Sequence, residues 1–151
     1  MSIEQIAVIG AGTMGNGIAQ VCAVAGYQVL LVDVSDAALE RGVATLSKNL
    51  ERQVSKGTLD ANKAAAAKTR IRTSTDYTQL SGAQLVIEAA TENLQLKQRI
   101  LQQVAANVAA DCLIATNTSS LSVTQLAAII GTGLKKCTPL KRSGCSMLAA
   151  S

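Results

Sequence analysis

The chain has 151 residues, 48% of them hydrophobic, which is enough for one domain with a substantial core. It contains no Phe, Trp or His and only two Tyr, so the core must be built from Ala, Val, Leu and Ile; a zinc centre, a Cys–His pair and a Ser–His pair within these residues are all excluded. The formal charge of +4 belongs entirely to the last twenty residues (Lys135, Lys136, Lys141 and Arg142, with no acid), so the basic balance is no sign of nucleic-acid binding by the rest of the chain.

Chain order gives an alternation of strands and helices. Residues 5–9 are an apolar run and read as a strand. Residues 13–25 read as a helix with Gly26 just past its end, and 28–33 as a second strand. Ser35 suits the N-cap of a long helix over 36–56, with Leu39, Val43, Leu46, Leu50 and Val54 on one face; Gly57 stops it. Asp60 caps a short Ala-rich helix over 61–68, and 70–74 read as a short strand. A buried strand over 85–89 leads to an amphipathic helix over 93–108, through Leu96, Ile100, Leu101, Val104 and Val108. A strand over 112–116 and a helix over 122–130 complete the pattern. Continuously apolar strands alternating with helices predict an α/β fold, a Rossmann-type doubly wound and mostly parallel sheet covered on both faces. In such sheets ligands bind beyond the carboxyl ends of the strands. That singles out Asp33, the segment Thr91-Glu92-Asn93, and Thr116-Asn117-Thr118-Ser119-Ser120.

The first strand runs into Gly10-Ala11-Gly12-Thr13-Met14-Gly15, and the second ends at Asp33, 18 residues beyond Gly15. Each residue type has a physical task. Gly10 permits the tight turn, Gly12 lets the backbone approach a pyrophosphate, and Gly15 lets the helix pack on the sheet. The helix opening at Thr13 and Met14 offers free N–H groups and a positive dipole end. Asp33 would accept from ribose hydroxyls and repel a 2′-phosphate, and no Arg follows within 34–40, so the cofactor read from these residues is NAD rather than NADP. Related glycine turns serve FAD and S-adenosylmethionine, and tight turns use glycine without any ligand. Cys22 and Cys112 fall in apolar patterns and read as small core residues. Glu88, inside an apolar strand, is given no role.

Three segments together resemble the NAD-binding domain of the 3-hydroxyacyl-CoA dehydrogenases, particularly the bacterial 3-hydroxybutyryl-CoA enzymes: AVIGAGTMGNGIAQVCAVAGYQVLLVD (7–33), LVIEAATENLQLKQRIL (85–101) and IATNTSSLSVTQLA (114–127). The resemblance covers roughly residues 3–130. It implies oxidation of the 3-hydroxyl of an acyl-CoA by hydride transfer to NAD. It implies that Glu92 and Lys97 contact the nicotinamide-side ribose, with Asn117 also at the cofactor, that Ser119 lies beside the reacting hydroxyl, and that Lys56 lies near the CoA phosphates. The residues alone allow plainer readings. Glu92 and Asn93 suit a helix start, Ser119 and Ser120 suit a cap for the helix at 122, and Lys97 and Lys56 could be solvated surface charges.

The family's G-[LM]-H-F-F-N-P segment, with its catalytic His, and its C-terminal helical domain, with the dimer interface, have no counterpart in these 151 residues. Residues 1–131 therefore read as the NAD-binding domain. Residues 132–151 show neither periodicity and read as a disordered or frameshifted tail, and this chain alone is expected to bind NAD without turning over acyl-CoA. A regulatory nucleotide-binding module, or a dehydrogenase of another hydroxy acid, is the alternative. With no apolar run of membrane-spanning length and no signal-peptide pattern at the N-terminus, the expected setting is cytoplasmic, with neither membrane nor nucleic acid as partner.

Overall fold

The computed structural model describes residues 3–90, 93–109, 111–116 and 137–139. The strands are β1 (Gln5–Ile9), β2 (Gln28–Val32), β3 (Ile71–Ser74), β4 (Leu85–Glu88), β5 (Leu113–Thr116) and β6 (Cys137–Pro139). They form one sheet in the order β3-β2-β1-β4-β5-β6, and every pairing is parallel. The helices are α1 (Thr13–Val24), α2 (Asp36–Ser55), α3 (Ala61–Arg70) and α4 (Leu94–Asn107), with a 3₁₀ helix at Tyr77–Gly82. The order of connection reverses between β1 and β4, which is the switch point where such sheets open a crevice.

The sheet is apolar on both faces because alternate residues serve different layers. Ile6, Val8, Val29 and Leu31 pack with Leu39, Leu46 and Leu50 of α2 and with the alanines of α1 and α3. Ala7, Ile9, Leu30, Val32, Val86 and Ile114 pack with Leu80 and with Ile100, Leu101 and Val104 of α4. Each wholly buried Leu or Ile contributes about 1.5–3 kcal/mol against the entropy of ordering. Cys22 and Cys112 are buried in these clusters, as expected of small core residues.

The helix starts follow the capping chemistry. Ser35 Oγ accepts from Ala38 N–H at 3.2 Å, Asp60 accepts from Asn62 N–H at 2.8 Å, and Asn93 Oδ1 accepts from Leu96 N–H at 3.1 Å. Two expectations need correction. Leu96 is 47% exposed, and the buried stripe of α4 runs instead through Lys97, Ile100, Leu101 and Val104, at helical spacing from a charged residue. Cys137–Pro139, inside the stretch expected to be disordered, pairs with β5, Ile114 facing Cys137 and Thr116 facing Pro139. Three residues show no periodicity of their own; the neighbouring strand supplies the register, and an edge strand tolerates proline. The helix expected over 122–130 and the remainder of 132–151 lie outside the described residues.

Candidate functional site

The glycine turn sits over the switch point and is held from three sides. Gly10 N–H donates to Val32 O at 2.7 Å, and Ala89 N–H donates to Ile9 O at 2.9 Å. Gly10 has φ +105°, and a Cβ there would lie 2.6 Å from Ala90 Cα. Only glycine satisfies both constraints. A Cβ on Gly15 would lie 1.8 Å from Gly10 O, so α1 reaches the loop only because that side chain is missing. Gly12 is different: a Cβ would meet nothing within 4 Å. Its surroundings are open, which fits the approach of a ligand's phosphates rather than internal packing. Gly12, Thr13 and Met14 are all exposed, no side chain caps α1, and its first turn carries no acid. The N–H groups and dipole of α1 are therefore left for an anion.

Asp33 borders the same loop. Its Oδ2 accepts from Ala11 N–H at 2.9 Å and its Oδ1 from Ser35 N–H at 3.1 Å, while the side chain stays partly exposed. It thus ties the glycine loop to the start of α2 and still leaves part of its carboxylate exposed beside the loop. Gly42 completes this corner: a Cβ there would lie 3.0 Å from Ala11 O, so α2 can lie against the loop.

On the other side of the switch point the polar groups are buried. Register places Glu88 beside Thr116 at the carboxyl ends of β4 and β5, on the face covered by α4. Lys97, in the first turns of α4, turns inward: its Nζ donates to Glu88 Oε2 at 2.5 Å and to Thr116 Oγ1 at 3.3 Å. Thr116 donates to the same Glu88 oxygen at 2.7 Å, and Ala90 N–H donates to Oε1 at 3.0 Å. All three side chains are fully buried, so Lys97 is not a solvated surface charge. Tyr77, half-buried beyond β3, registers both sides: burial first, then the charges of Asp33 and Glu88, push its hydroxyl above the usual tyrosine range.

Residues 5–137 match the family described as 3-hydroxyacyl-CoA dehydrogenase, NAD binding domain. The chain belongs to this family. Its cofactor is NAD, and the Rossmann-type sheet expected from the strand–helix alternation is the family's fold. The 3-hydroxybutyryl-CoA dehydrogenase of Bradyrhizobium diazoefficiens is 43% identical over 126 residues, covering 83% of this chain and 43% of the relative. The 3-hydroxyadipyl-CoA dehydrogenase of Escherichia coli is 42% identical over 130 residues, covering 86% and 27%. The crystal structure of (S)-3-hydroxybutyryl-CoA dehydrogenase from Ralstonia eutropha superposes with a TM-score of 0.84 at 49% identity, covering 87% of this chain and 47% of that one. The chain therefore spans less than half the length of these relatives. Among the described residues, no helix is long and apolar enough to cross a membrane.

Within this 3-hydroxyacyl-CoA dehydrogenase domain, the structure brings Gly10, Gly12, Thr13, Met14, Gly15 and Asp33 together. Lys97 stands apart from them, under the ends of β4 and β5. Glu92, Asn117 and Ser119 lie outside the described residues. Lys56 is exposed at the C-cap of α2, twenty residues and about 30 Å of helix from Asp36, so it shares no surface with the glycine loop. Sequence reasoning missed Gly42, singled out Thr116 only by its place at the end of a strand, and left Glu88 without a role. The signals were present: a carboxylate in an apolar strand, a lysine nine residues later on the apolar stripe of a helix, and a glycine in the interior of a long helix.

Proposed function

We propose that this chain is the cofactor half of an NAD-dependent dehydrogenase acting on 3-hydroxyacyl-CoA thioesters of the 3-hydroxybutyryl type. The observation that carries the reading is the open cradle at Gly12 between an uncapped helix and the Asp33 carboxylate, in a chain of this family. NAD bound there supplies the acceptor for the hydride from the substrate's 3-hydroxyl carbon. The residues of this chain bind and orient. The loop N–H groups hold the pyrophosphate, and Asp33 takes the adenosine ribose hydroxyls and rejects a 2′-phosphate. Glu92, Lys97 and Asn117 are assigned to the nicotinamide half, Ser119 to a hydrogen bond with the substrate oxygen, and Lys56 to the CoA phosphates. These 151 residues hold no histidine, so a histidine base that takes the hydroxyl proton would come from outside them. Cys22 and Cys112, both buried and neither held in a disulfide, suit a reducing compartment, and we place the protein in the cytoplasm.

An NADH fluorescence titration of the purified chain, with NADPH as control, tests the cofactor reading. Saturable NADH binding, with NADPH weaker by about tenfold or more, is expected from a carboxylate facing a phosphate. Equal binding of both would refute the role of Asp33, and binding of neither would refute the cofactor site. Adding acetoacetyl-CoA to the NADH-loaded chain then tests the substrate class: a further, saturable change absent with free acetoacetate is expected, and no difference between the two removes the CoA thioester from the proposal.

A further inference from the structure

The buried cluster at the ends of β4 and β5 holds two full charges where two matched apolar residues would serve stability as well or better. Its position suggests what the charges are for. A dinucleotide laid across the switch point has its adenosine half at Asp33, just past β2, so its other half falls on the side of β4 and β5. Glu88 and Thr116 are the last residues of those strands, and Lys97 reaches both from α4.

We propose that mutual neutralisation of Glu88 and Lys97 beneath the nicotinamide end keeps either buried charge from biasing the site between oxidised and reduced NAD. This rests on the reading of the site as an NAD site. The nicotinamide ring is cationic in NAD+ and neutral in NADH, so the two forms differ by one charge at that end. A balanced pair bears on both forms about equally. An unbalanced one separates them, because charges removed from water act over longer distances. The geometry favours balance: Glu88 accepts from Lys97, Thr116 and Ala90 N–H, so the carboxylate is fully engaged, and Lys97 has both Glu88 and Thr116 as acceptors. The charge of Glu88 is felt outside the pair, at Tyr77.

The test is the ratio of the NAD+ and NADH dissociation constants, measured by calorimetry on the full 151-residue chain. In Glu88→Gln the remaining ammonium repels NAD+, and the ratio should rise by about tenfold relative to wild type, the scale of one unpaired charge acting across about 12 Å at an effective dielectric of about 20. In Lys97→Met the remaining carboxylate attracts NAD+, and the ratio should fall by a similar factor. Each variant is measured against wild type at the same pH. The double variant should return to the wild-type ratio. A purely structural pair would move both constants together and leave the ratio unchanged, and that result, or shifts of the same sign in both single variants, overturns the inference. If one single variant fails to fold by circular dichroism, the sign in the other and the return in the double variant decide. Wild-type chain that binds neither nucleotide refutes the cofactor reading beneath the inference; wild-type chain that binds both, with ratios unmoved in the variants, refutes the inference alone.

Discussion

On the β1–β2 side of the switch point, polarity is built from backbone and faces outward: the loop N–H groups, the uncapped start of α1, and a partly exposed Asp33. On the β4–β5 side it is built from side chains and faces inward: Glu88, Lys97 and Thr116 have no exposed surface. The first arrangement leaves its polar groups open to a ligand. Its residues are constrained mainly by what they lack, a Cβ at Gly10, Gly15 and Gly42. The second constrains residues by what they carry, since each charged member is tolerated only with its partner in place. The first half is thus broken by an atom added at Gly10 or Gly15, and the second by the loss of one charge without the other.

The largest effect expected is at Gly15. Gly15→Ala places a Cβ on Gly10 O, and it should abolish NADH binding and cost about 3 kcal/mol of stability, read by titration and thermal melting. A folded, NADH-binding variant would show that the loop yields more than its contacts imply. Nearly as large is Lys97→Met, which strands a buried carboxylate at a cost of about 3–5 kcal/mol in urea unfolding, whereas the double variant Glu88→Leu/Lys97→Met should lie within about 1 kcal/mol of wild type. A double variant as unstable as the single one would mean that the two charges act separately. Asp33→Asn keeps an acceptor for Ala11 N–H but removes the charge; NADH should bind about tenfold more weakly, and its advantage over NADPH should shrink. Gly42→Ala should weaken NADH binding about threefold with little change in stability, because a gain of about 1 kcal/mol in helix propensity is offset by the approach to Ala11 O. The smallest effect is at Cys112, whose thiol is pushed up to about 11, chiefly by burial and then by the charge of Asp111. The folded state keeps this proton where the unfolded chain, with an ordinary thiol near 9.0, has lost it. Its contribution is therefore complete below pH 9 and declines between 9 and about 11. Cys112→Ala should flatten that part of the stability profile.

The outward-facing half was legible in the sequence because its requirements are local. A strand, three spaced glycines, a helix and a terminal acid occupy one continuous segment, and each residue type has one physical explanation there. Capping at Ser35 and Asp60 was legible for the same reason. The inward-facing half was not, since it depends on a register. That Glu88 neighbours Thr116 is decided by the alignment of two strands 28 residues apart, and that Lys97 meets them is decided by the rotation of α4. An apolar stripe drawn through Leu96 rotates the helix by one residue and sends the lysine to solvent, which is how a surface charge came to be an acceptable reading. β6 escaped notice because a three-residue edge strand takes its order from its neighbour, and its own sequence carries no alternation to detect.

The Glu88–Lys97 pair also restricts how such a sequence can drift over generations. Loss of either charge alone consumes about 3–5 kcal/mol of a total that is seldom above about 15 kcal/mol for a domain, so most lineages taking that single step leave few folded descendants. Joint replacement by apolar residues is almost free of that cost but needs two substitutions to arrive together. The two positions are therefore inherited as one character, and descendants should differ at both or at neither.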